Sequence, residues 1–223
     1  MSELKIYYRL ENFYGSHKQY VESRNYEQLR GETTSTSSCT PITDNKDIST
    51  TLSSFQSNSL LGADDNAIPC GLPAKYYFQD TFSITNSSGD SVNIISTDIA
   101  LDVDKDSRFS NNAGSIDKQW TDLEDQRLMV WFQIETFPNF DKLYGEIDGK
   151  LTKGTEYTFT VDHKSDYSDF DVKKYIVLST TSFTGKNLGL IFIFGGAFLY
   201  VIFLIIGFSV LEYLKQNDKL CWD

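Results

Sequence analysis

The residues able to do chemistry are few in this chain. It carries three cysteines, Cys39, Cys70 and Cys221, and two histidines, His17 and His163. Zinc sites are built from closely spaced Cys and His pairs, and no such cluster is present. Cys39 and Cys70 also stand too far apart for a Cys-x-x-Cys redox couple. The run "DVDKDS" sets Asp102, Asp104 and Asp106 at alternating positions, as a calcium loop does. An EF-hand loop needs Gly at its sixth position and a bidentate Glu at its twelfth. Ser107 and Ala113 stand there instead, in surroundings that read as non-helical, so the run reads as an acidic surface turn. Glu124 and Asp125 could share acid–base work, yet adjacent carboxylates read more simply as a solvated face. Gly185-Lys186 lacks the earlier glycine of a phosphate loop, and there is no Gly-x-Ser-x-Gly elbow or dinucleotide fingerprint. The expectation is a protein without enzymatic activity, metal or cofactor. Two features point to covalent modification instead. Asn86-Ser87-Ser88 is an acceptor sequon for N-glycosylation within the turn-like "TNSSGDS". Cys39 and Cys70 make an even count compatible with one disulfide.

Those residues precede a long apolar run, Leu188 to Leu211. As a helix, about 24 residues at roughly 1.5 Å each reach about 36 Å, enough to cross a hydrocarbon core of about 30 Å. Gly195 and Gly196 offer small surfaces to a neighbouring helix. The reading is therefore a domain over 1–187, a transmembrane helix over 188–211 and a short tail over 212–223. Lys173, Lys174 and Lys186 before the span nearly balance Lys215 and Lys219 after it, so flanking charge leaves orientation open. The sequon and the paired cysteine count favour a domain outside the cytosol, with Cys221 on the cytosolic side. A net charge of -11 argues against nucleic acid and against docking on anionic headgroups.

The elements that must position these residues read mainly as strands. Residues 7–31 carry helical spacing through Leu10, Phe13, Tyr14 and His17, with Gly31 as a stop. A Ser/Thr-rich loop follows to about residue 59. From Ile68 onward the patterning is period-two. "YYFQDTFSIT", "RLMVWFQIETF", "EYTFTVDH" and "KKYIVLSTTSF" read as strands, and "FPNFDKLYGEI" as a short helix after Pro138. The fold class is a mainly β, antiparallel, sandwich-like domain with short helices and a C-terminal membrane helix.

Five ordered stretches, "YYRLENFYGSHKQYVESR", "IPCGLPAKYYFQDTF", "RLMVWFQIETFPNFDKLY", "YIVLSTTSFTGKN" and the span, resemble one family. It is the Cdc50/Lem3 family, the non-catalytic β-subunits of type IV P-type ATPases, which flip phospholipids. The resemblance implies a large exoplasmic β domain that partners the ATPase catalytic subunit beside membrane lipids. It also implies help in leaving the endoplasmic reticulum for Golgi, endosomal or plasma membranes. It pairs the cysteine before "TP" with that of "PCG", here Cys39 and Cys70, and makes glycosylation usual. The family places a first transmembrane helix before the segment matching Tyr7 to Arg24. Here only six residues precede Tyr7, and the expectation is a truncated paralogue or incomplete gene product. Where the family has Trp-x-Gly-Gly-Lys-Asn, this chain has Phe183-Thr184-Gly185-Lys186-Asn187. Candidate partner contacts are Phe13 and Tyr14, placed near that first helix, then Trp131, Phe132, Phe183, Lys186, Asn187, Gly195 and Gly196. For each aromatic, ordinary core packing is the competing reading. The alternative class is a single-pass adhesion or receptor-like protein.

Overall fold

The computed structural model describes residues 4–149, 151–168, 170–180 and 188–220. These fall in two compact units, the first ending at Thr180. The axis of the first unit is β1 (Leu4–Glu11), where Ile6, Tyr8 and Leu10 are buried and Arg9 is exposed, the period of two a half-buried strand demands. It is sandwiched edge to edge between β5 (Phe140–Ile147) and β7 (Lys173–Thr180), antiparallel to both, with Leu10 opposite Phe140 and Lys174. The two-residue β4 (Ile94–Ile95) pairs with the far side of β5. A second antiparallel sheet has the order β3-β2-β6, formed by β2 (Thr81–Asn86), β3 (Ser91–Val92) and β6 (Tyr157–Asp162). One aromatic-rich core serves both sheets: Tyr8 stacks on Phe78 at 3.9 Å, and Phe82 of β2 meets Tyr144 of β5 at 4.4 Å. The mainly β, antiparallel architecture with short helices is as the sequence implies.

Three elements differ from the sequence reading. The helix expected over 7–31 is a strand followed by two short helices, α1 (Lys18–Glu22) and α2 (Tyr26–Leu29). Asn12, at φ 64°, turns the chain sharply after β1 and is fixed there, its N–H donating to Asn139 Oδ1 and its side-chain amide to the Asp171 carbonyl. The helical spacing therefore never shares one face: Leu10 and Phe13 are buried, Tyr14 and His17 exposed. Gly31 does close α2, at φ +72°. Two more short helices follow, α3 (Asn45–Ile48) inside the Ser/Thr-rich loop and α4 (Leu72–Lys75) after it.

The second difference is α5 (Gln126–Phe132), expected as a strand. Leu128, Met129, Val130, Trp131 and Phe132 are all buried, and a run buried on every side carries no periodicity to distinguish helix from strand. The start is set by Asp125, whose carboxylate accepts the Arg127 N–H at 2.9 Å. Asp125 is thus a helix cap rather than part of a solvated face, and its neighbour Glu124 accepts the Asn111 N–H.

The third is β5, expected as a short helix. Its inward positions are Phe140, Lys142, Tyr144 and Ile147, and a lysine among them hides the alternation. Lys142 is inward because α5 ends there. Its ammonium donates to the carbonyls of Val130 and Gln133, each at 2.7 Å, and pairs with Glu135 at 2.9 Å. Burial pushes this ammonium below the usual lysine range, and Glu135 offsets part of that. Carbonyls at a helix C-terminus lack intrahelical partners, so one buried cation closes the end of α5. Lys142→Met should therefore cost about 2–4 kcal/mol, through two orphaned carbonyls and an unpaired Glu135. Urea unfolding of the full chain measures this, and a cost below about 0.5 kcal/mol would dismiss the capping role.

The second unit is a helix, α6 (Leu188–Leu220), of 33 residues. Its Phe192–Leu211 stretch is long and apolar enough to cross a membrane. The helix runs on past Leu211, so the span and most of the expected tail are one element.

Candidate functional site

The centre of the first unit is the stretch "IPCGLP", which has little regular structure and is held by side chains from elsewhere. Cys39 and Cys70 are joined as a disulfide with their Cα atoms 5.7 Å apart, as the resemblance implies. Ser23 Oγ donates to the Cys39 carbonyl at 2.8 Å and accepts the Leu72 N–H at 3.0 Å. Gln28 Oε1 accepts the Cys70 N–H at 2.9 Å while its amide donates to the Ala67 carbonyl at 3.0 Å. Two indoles complete the set: Trp120 Nε1 donates to Pro69 O at 2.8 Å, and Trp131 Nε1 to Pro73 O at 2.7 Å. Gln28 and Ser23 are almost fully buried. Sequence reasoning missed Ser23, Gln28 and Trp120 in this role.

A second polar node ties the two sheets together. Asp80, just before β2, is buried, and its Oδ1 accepts the N–H groups of Lys164 and Ser165 at 2.8 and 2.7 Å. Its Oδ2 accepts from the Lys174 ammonium of β7 at 2.6 Å, with His163 Nδ1 at 3.4 Å. Burial alone would raise the Asp80 carboxyl. The Lys174 ammonium and the two N–H donors outweigh it and hold the group below the ordinary range.

The aromatic candidates separate by burial. Trp131, Phe132 and Phe13 are core residues, respectively 3%, 5% and 6% exposed. Phe13 is ringed by Tyr20, Trp131 and Phe140, and Phe132 meets Phe109 at 5.8 Å. Core packing, the competing reading, therefore describes these three. Tyr14 is 65% exposed. It does not lie by the chain's start, because the length of β1 separates it from Leu4. Instead three loops meet at that end of the sheet. The Phe13 N–H donates to the Pro138 carbonyl at 2.9 Å, and Asn12 bridges to Asn139 and Asp171. Tyr14, Phe137 and Phe170, one from each loop, are each exposed, and Tyr14 and Phe170 line one cleft. Phe137 and Phe170 were missed, since single aromatics in loops carry no pattern. Phe183, Lys186 and Asn187 lie outside the described residues. A side chain added at Gly195 or Gly196 would meet no atom within 4 Å.

Asn86 ends β2 in the β2–β3 turn, its Oδ1 accepting the N–H groups of Ser88 and Asp90, each at 2.9 Å. The "DVDKDS" run is not a plain surface turn. It forms a helical turn, Asp104–Arg108, in which Asp104 is buried against Arg108 at 3.1 Å and Gln133 at 3.3 Å. Among the described residues no His, Cys, Asp and Glu side chains are grouped to hold a metal.

The chain thus carries a disulfide-tied, aromatic-cored β unit and a helix long and apolar enough to cross a membrane. The family follows from comparison: the model of the LEM3 (ligand-effect modulator 3) family / CDC50 family matches residues 1–218, and the chain belongs to that family. It is 31% identical over 96% of its length to "Putative ALA-interacting subunit 4" of Arabidopsis thaliana, covering 63% of that protein. To "Phospholipid-transporting ATPase accessory subunit CDC50" of Chaetomium thermophilum it is 28% identical, over 99% of this chain and 60% of the relative. "Cell cycle control protein 50A" of Mus musculus is 25% identical over 96% of this chain and 65% of its own length. The chain thus spans less than two thirds of the ALA-interacting subunit and of the Chaetomium protein.

Proposed function

We propose that this chain acts as a non-catalytic accessory subunit of a phospholipid-transporting P-type ATPase. The first unit would lie on the exoplasmic side and α6 would cross the bilayer beside the catalytic subunit. The observation that carries this reading is the match of 99% of the chain to a protein named as an accessory subunit of such an ATPase. The Cys39–Cys70 disulfide supports it, because such bonds persist in the lumen and outside the cell and are rare in cytosol. The exposed trio of Tyr14, Phe137 and Phe170 offers aromatic anchors of the kind that dominate interfaces. Gly195 and Gly196 offer a close approach for another helix, and Asn86 a glycan acceptor. The role is exerted through binding, so the reading includes no reaction centre in this chain.

Mild-detergent capture of the full chain followed by mass spectrometry tests the partner. A P-type ATPase catalytic subunit is expected in the eluate, and less of it with Tyr14→Ala and Phe137→Ala together. Recovery of no such ATPase across several expression contexts, with the chain reaching the cell surface alone, would replace this reading with the adhesion-type one.

A further inference from the structure

Beside the exposed Tyr14 and Phe170 the surface opens into a cleft of about 460 Å³. That is the size of a small-molecule site. Its walls are aromatic: Phe13, Tyr14, Tyr20, Tyr76 and Phe170 all line it. Their planes are set steeply to one another, 85° for Phe13 and Tyr20, 75° for Phe13 and Tyr76, and 69° for Tyr76 and Phe170. Rings inclined in this way form several sides of a box rather than one stacked slab. Among the described residues no lysine, arginine or carboxylate lines it, and its other members are the polar Asn12, His17 and Gln19 with Leu72 and Val172.

Two properties decide what such a box takes. Each ring carries negative potential over its face, so adjoining rings attract a cation whose hydration shell is weak. No fixed cation competes in the lining, and the whole chain is at -11, which raises the local concentration of cations over anions. A carboxylate or phosphate ligand would find no ionic partner there. A hydrated metal ion would find no carboxylate ligand among the described lining residues. We infer that the Phe13–Tyr20–Tyr76–Phe170 cleft binds an organic ammonium cation, best a quaternary or methylated one. This goes beyond the accessory role and does not depend on which ATPase is the partner. The cation could come free in solution or as the headgroup of a lipid.

The test uses the full chain in maltoside micelles and titrates choline against 3,3-dimethylbutanol, its uncharged isostere. Trp131, 5.5 Å from the Phe13 ring, gives a fluorescence readout, and calorimetry gives a second. Choline should bind saturably and at least about fivefold tighter than the isostere, the difference that cation–π attraction supplies at a partly exposed site. Phe170→Leu and Tyr14→Leu keep an apolar, partly exposed side chain and should weaken choline about threefold or more, and the isostere by clearly less. Equal binding of the two compounds, no saturation up to roughly 100 mM, or leucine variants that bind choline like the parent would each overturn the proposal. Repeating the titration in phosphatidylcholine and phosphatidylglycerol nanodiscs separates the sources. Competition only in phosphatidylcholine supports a lipid headgroup, and equal affinity in both supports a soluble cation.

Discussion

Gly71→Ala should prevent the first unit from folding, while Gly89→Ala should cost only about 1 kcal/mol. Both glycines have positive φ, +95° and +88°, which a side chain rarely adopts. The surroundings differ. A Cβ at Gly89 would meet nothing within 4 Å, whereas at Gly71 it would lie 1.9 Å from the Ser23 carbonyl oxygen and 3.3 Å from the Arg24 Cα. Neither side can give way cheaply. The Gly71 N–H donates to the Ile42 carbonyl at 2.9 Å, and the Ser23 N–H to Gln19 O at 3.0 Å. Moving Ser23 also breaks the hydroxyl bridge between Cys39 and Leu72. Strain of about 1–3 kcal/mol then adds to a lost buried bridge and displaced backbone, passing about 5 kcal/mol. A domain holds only about 5–15 kcal/mol in all. Loss of the disulfide alone, by Cys39→Ser, should be milder at about 3–4 kcal/mol, the chain-entropy value for a loop of some 30 residues. Proteolysis of the full chain and near-UV circular dichroism read this directly. A Gly71→Ala protein as resistant as the Gly89→Ala one would sink the account.

This centre shows why some of the molecule was legible in the sequence and some was not. β6 was readable because it keeps a regular alternation, Tyr157, Phe159 and Val161 being half-buried between exposed neighbours, and β7 because its Tyr175, Ile176 and Val177 are residues that favour strands. The apolar length of α6 was readable because membrane crossing imposes a composition. β1 was not, because its inward Leu10 was merged with Phe13 and His17 across a turn made by Asn12. α5 and β5 failed for a shared reason: the helix is buried all round, and the strand beside it spends an inward position on Lys142 to close that helix. Pairing Cys39 with Cys70 came from resemblance alone, since two cysteines permit a bond without requiring it. Ser23, Gln28 and Asp80 gave almost no signal. Their side-chain partners lie between 7 and 94 residues away, so nothing local marks them.

The same separation in sequence makes Asp80 the most consequential of these polar residues. Asp80→Ala should destabilise the first unit by about 3–5 kcal/mol, the cost of removing one partner from a buried charge pair. It leaves the Lys174 ammonium, whose side chain is only 25% exposed, without its carboxylate, and it orphans the Lys164 and Ser165 N–H groups. Because Lys174 belongs to β7 and Asp80 enters β2, the loss falls on the joint between the sheets. Asp80→Asn keeps an acceptor for the two N–H groups but no negative charge, and should cost less than the alanine variant. Its pH dependence carries the sharper test. The folded-state carboxyl is held below its unfolded value of 3.8, so its contribution is fully present above that value and fades as pH falls through the folded one. The stability gap between parent and Asp80→Asn should therefore be constant from about pH 7 to 5 and shrink below about pH 4. Urea midpoints across that range measure it. A gap that stays constant into strong acid, or widens there, would mean that Asp80 is not held as a carboxylate by Lys174, and the two sheets would need another joint.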